Sequence, residues 1–139
     1  MSLRKLLTVL DAVVWIAAMV PPILVTIYTL RYTVNVPYKD HWGHVPFIAE
    51  AVRGVFRPAA LWEQINEHRV PTARLIQGLL AWATAWDVRW EAYVDLGFGL
   101  GTLVVLWLVV WHTVRPHAPQ LAAWVALVTS MLHLSLIHI

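Results

Sequence analysis

The side chains able to do chemistry gather in two short clusters. The first is Tyr38-Lys39-Asp40-His41-Trp42-Gly43-His44, which holds one carboxylate and two imidazoles. A carboxylate in such a segment can take a proton from an acceptor hydroxyl, or can ligate a divalent cation with help from histidine. His41 and His44 are three residues apart, a spacing that puts two ligands on one face of a helix, but Gly43 and Pro46 argue against a helix at that point. The local alternative is that Asp40 caps the following helix or solvates the loop.

The second cluster is Asn66-Glu67-His68-Arg69, followed by Arg74. Two guanidinium groups suit bidentate contact with a phosphate better than two ammonium groups do. Arg69 and Arg74 are therefore candidate phosphate ligands, with Asn66 and His68 shaping the site. Attraction to lipid headgroups, together with helix capping, is the competing explanation. No Walker, zincin, nucleophile-elbow or dinucleotide motif occurs, and the absence of cysteine excludes disulfides, thiolate metal sites and a thiol nucleophile.

The elements that position these clusters are apolar. Of 139 residues 60% are hydrophobic and 13% charged, more apolar surface than a soluble core of this length can hide. The reading is an all-α integral membrane protein with four transmembrane helices, at about 8–30, 71–87, 92–112 and 121–139, and one outer loop over 31–71. Membrane lipids are the expected surroundings. The net charge of +2 is spread without a basic block, so nucleic acid is not an expected partner. Pro21 and Pro22 predict a kink in the first span.

Within the outer loop, Val45, Ile48, Ala49, Val52 and Phe56 recur at helical spacing opposite Glu50, Arg53 and Arg57, which predicts an amphipathic surface helix. A second short helix is expected over 59–69. Trp82, Trp86 and Trp90 form one stripe if the helix before them continues that far, and Gly97 with Gly101 favours close helix packing. The run 134–139 resembles an in-frame translation of a sequencing adapter, and the chain reads as a truncated frame.

The stretch from Asp40-His41-Trp42 through Leu61-Trp62, Asn66-Glu67-His68-Arg69, Arg74-Leu75 and Trp86-Asp87-Val88-Arg89 resembles the N-terminal part of bacterial polytopic (C-type) glycosyltransferases. The resemblance covers roughly 8–130. It implies an acidic catalytic residue in the first outer loop, for which Asp40 is the match, and a polyprenyl-phosphate-linked sugar as donor. It also implies an outer loop beyond the cytoplasm, hence a multi-pass protein of the bacterial inner membrane with its N-terminus and the 87–91 turn inside. Many members carry paired acids where this chain has Asp40-His41, so a divalent cation is optional and His41 and His44 are only weak candidates to hold one. The expected activity is sugar transfer on the outer face of the membrane, with the fragment alone inactive. A multi-span transporter or flippase, or a membrane scaffold, is the alternative.

Overall fold

The computed structural model describes residues 3–39, 41–64 and 69–136. Among the described residues five α-helices follow one another: α1 (Leu3–Tyr32), α2 (His41–Val52), α3 (Pro71–Thr84), α4 (Arg89–Thr113) and α5 (Pro119–Leu136), with a 3-10 turn over Pro58–Trp62. No strand occurs among the described residues. The chain divides into two compact units, one of Met1–Tyr32 with Asp95–Ile139 and one of Thr33–Val94.

In the first unit α1 packs along α5. Ala18, Pro21, Pro22, Val25 and Thr29 form the buried stripe of α1, while Ala122, Ala123, Ala126 and Ser130 form that of α5. Small residues at 122, 126 and 130 let two backbones approach closely, as helices do where lipid supplies no hydrophobic drive between them. α1 remains helical through Pro21 and Pro22, whose missing N–H groups release the carbonyls one turn earlier. α4 meets α1 through indoles: Trp15 lies edge-on to Trp107 at 6.3 Å and to Trp111 at 5.6 Å. The Trp107 Nε1–H donates to the Ala126 carbonyl at 3.3 Å. Among the described residues, neither Gly97 nor Gly101 has an atom within 4 Å of where a Cβ would stand, so none of them makes the packing expected at this pair.

Two helices, the 28 residues of Lys5–Tyr32 and the 25 of Arg89–Thr113, are long and apolar enough to cross a membrane. Of the other two expected spans, α3 is shorter. α3 has 14 residues, about 21 Å at 1.5 Å per residue, against a hydrocarbon core of about 30 Å. Among the described residues, α5 is apolar from Pro119 to Leu132.

In the second unit α2 lies on α3 around Phe47, Ile48, Ala51, Ala60 and Ala81, with Leu61 and Trp86 against them. α2 starts earlier than the apolar spacing predicts, and contrary to the expectation from Gly43 and Pro46 both residues fall inside the helix. Its buried face is His44, Phe47, Ile48 and Ala51, whereas Val52 and Phe56 are exposed. The turn that follows the helix closes at Gly54, which takes the left-handed φ of 74° that favours glycine. Arg57 then folds back on Glu50 with two hydrogen bonds of 2.9 Å. The second expected surface helix is a 3-10 turn ending at Trp62, and residues 65–68 lie outside the described residues.

α3 also stops short of the tryptophan stripe. Ala85 and Trp86 are left-handed (φ 52° and 62°), and the Trp86 N–H closes on the Ala81 carbonyl at 3.0 Å. The Thr84 hydroxyl accepts from the Asp87 N–H, so Trp82 and Trp90 belong to different helices.

Candidate functional site

Asp40, the expected base, lies outside the described residues, as do Asn66 and His68. What frames Asp40 is described. Lys39 before it has a left-handed φ of 46°, and His41 after it opens α2.

His41 is held at both ring nitrogens. Its Nδ1 accepts from the Tyr38 backbone N–H at 3.0 Å, which requires that nitrogen to be unprotonated and puts the proton of the neutral ring on Nε2. Nε2 faces Glu91 Oε2 at 3.3 Å. The same carboxylate oxygen accepts from Gln77 Nε2 at 3.0 Å. One mostly buried carboxylate therefore ties the first residue of α2, the middle of α3 and the first turn of α4. With a partner at each ring nitrogen, His41 orients its segment. His44 lies one turn further along α2 on the buried face. Among the described residues no three His, Cys, Asp or Glu side chains come together as a metal site.

The two arginines part company. Arg69 is exposed. Arg74 is 4% exposed, and its Nη1 donates to the Ala60 carbonyl and lies 3.5 Å from Glu63 Oε2. The guanidinium carbon stands 5.5 Å from the centre of the Phe47 ring. A charge removed from water needs such partners. Arg74 thus clamps the 3-10 turn and α2 to α3, and its charge is spent inside the unit. Arg74 reaches those partners because α3 presents small residues beside it: a Cβ on Gly78 would stand 2.9 Å from Phe47 Cζ.

At the start of α4, Asp87 accepts from the Arg89 backbone N–H at 3.1 Å and from its guanidinium at 2.6 Å. The Arg89 side-chain hydrogen bonds hold the Asp87 carboxyl below its ordinary range. The Val88 N–H is taken by Asn35 Oδ1 at 2.9 Å. Neither Gln77, Glu91 nor Asn35 stands out by local spacing. The one available signal is a polar residue within an apolar helix, as Gln77 is in α3 and Glu91 in α4. Set against known protein families, curated proteins and solved structures, the chain matches none of them.

Proposed function

We propose that the chain is a membrane protein that crosses the bilayer with α1 and α4, and that residues 33–88 form a folded element on one surface. The observation that carries this reading is the exposure of the two apolar helices: only 22% of the most apolar window of α1 and 17% of that of α4 are buried. The central helix of a soluble protein would be covered. Neither helix has a charged residue through its middle, from Ala12 to Leu30 and from Leu96 to Val110. In α4 the tryptophan and tyrosine residues cluster at both ends, Trp90 with Tyr93 and Trp107 with Trp111. From Trp90 to Trp111 is about 32 Å of helix, close to the roughly 30 Å between the two interfaces of a bilayer.

Within that frame the proposed activity is transfer of a sugar from a polyprenyl-phosphate donor, on the outer side of a bacterial inner membrane with the N-terminus inside. It is supported by the resemblance running from Asp40 to Arg89 and by the anchoring of His41, the residue that follows Asp40 in the sequence. Asp40 takes the acceptor's proton as the acceptor oxygen bonds to the sugar's anomeric carbon; the carbon–oxygen bond to phosphate breaks, and polyprenyl phosphate leaves. Arg69 is the exposed cation available to the donor phosphate, and Arg74 supports the unit from within. In membranes carrying the native protein, transfer is expected to disappear with Asp40→Asn while donor binding persists. Transfer retained by Asp40→Asn rejects Asp40 as the base, and no transfer by the native protein rejects the enzymatic reading in favour of transport or a scaffold.

A further inference from the structure

The second unit is built inside out for water. α3 turns Arg74, Gly78 and Ala81 inward, keeps Ile76 and Leu80 half-buried, and leaves three large apolar residues outside: Leu75 is 39% exposed, Leu79 54% and Trp82 64%. These three recur at four and three residues, one continuous stripe. Beside it, Ala51, Gly54 and Phe56 join Gly78, Leu79 and Trp82 in lining a shallow apolar groove of about 300 Å³. A soluble surface scatters such residues singly, whereas an uninterrupted stripe beside a groove marks an interaction face.

We propose that this face, the Leu75–Leu79–Trp82 stripe with Phe56, is seated in the interfacial and upper acyl-chain region of a lipid bilayer. The inference rests on the reading that α1 and α4 cross the membrane. The chain's own connectivity selects lipid as the occupant: the unit begins at Thr33, directly after the last residue of α1, and ends in the first turns of α4. Tethered at both ends to crossing helices, it cannot leave the bilayer surface, so acyl chains are the apolar phase always within reach. α3 is too short to cross and is stopped by the left-handed pair Ala85 and Trp86. An amphipathic helix with a tryptophan near its end lies in the interface plane. α3 is thus an interfacial helix, and the loop after α1 is a membrane-surface element.

The absence of cysteine makes the test direct. Single cysteines at Leu79, Trp82, Arg53 and Val105 of the full chain would carry nitroxide labels in phosphatidylcholine vesicles, with collision rates read against oxygen and a water-soluble nickel chelate. Leu79 and Trp82 are expected to favour oxygen over nickel severalfold more than Arg53 does, with Val105 of α4 favouring it most. Leu79 and Trp82 matching Arg53 while Val105 stays in lipid would overturn the proposal alone. Protection of both sites from both reagents would also overturn it, since protein then covers the face. If Val105 matches Arg53, the crossing of α4 fails and the proposal falls with it.

Discussion

Glu91 Oε2 stands 3.3 Å from His41 Nε2 and accepts from Gln77 Nε2 at 3.0 Å, so a carboxylate in the first turn of α4 fixes the residue that follows Asp40. A hydrogen bond to a charged group contributes about 1.5–3 kcal/mol, less where it is partly exposed. In a double-mutant cycle His41→Ala and Glu91→Ala are expected to couple by about 1 kcal/mol in thermal unfolding, above the roughly 0.3–0.5 kcal/mol of independent sites. Additive effects would mean that the contact does not hold the unit together.

Arg74 and Arg69 should separate by what each change damages. Arg74→Lys keeps the charge but loses the fork that reaches the Ala60 carbonyl and the planar face against Phe47, and a loss of about 1–3 kcal/mol in stability is expected. Arg69→Lys should leave the melting temperature unchanged and weaken binding of polyprenyl phosphate. If Arg74→Lys were as stable as the parent while donor binding fell, the guanidinium would be serving the ligand and not the fold.

Gly78 sets the approach of α2 to α3. A Cβ there would meet the Phe47 ring at 2.9 Å, and Gly78→Val is expected to cost about 1–3 kcal/mol through overpacking. Phe47→Ala alone should cost about 3–5 kcal/mol, and combining it with Gly78→Val should recover part of the loss by filling the space left by the ring. Strict additivity of the two melting shifts would contradict the contact.

These residues show what a linear reading can reach. The helices α1 and α4 are legible because long apolar runs need no partner to declare themselves, and their ends fall near charged residues. The buried face of α2 is not. Val52 and Phe56 fit the helical period as well as Phe47 and Ala51 do, and only the position of α3 decides between the two faces. The tryptophan stripe at 82, 86 and 90 misleads for a related reason: the Thr84 hydroxyl that accepts from Asp87 and the left-handed Ala85 break the helix without glycine or proline to mark the place. Arg74 looks like a surface cation by type and is buried because Ala60 and Phe47 happen to meet there. Gly97 and Gly101 suggest tight packing, yet the small residues that do pack are Ala122, Ala126 and Ser130.

The Asp87–Arg89 pair gives a dependence on pH. Because Arg89 lowers the Asp87 pKa from its usual 3.8, its contribution is fully present above that value and is lost as pH falls through the lower, folded-state value. Asp87→Asn should therefore be less stable than the parent near neutrality, and the difference in melting temperature should shrink in acid below 3.8. A difference that grows on acidification has the wrong sign for this pair.

The central claim is that the chain crosses the bilayer with α1 and α4 and that α3 does not cross. Labelling by an impermeant thiol reagent in intact cells reads this directly from single cysteines at Glu50, Arg89 and His117, since the parent has none. Two crossings put Glu50 and Arg89 on the same, outer side and His117 on the other, so the first two should label alike and the third should be protected until the membrane is opened. Labelling of Glu50 with protection of Arg89 would mean that α3 traverses the membrane, and would contradict the account.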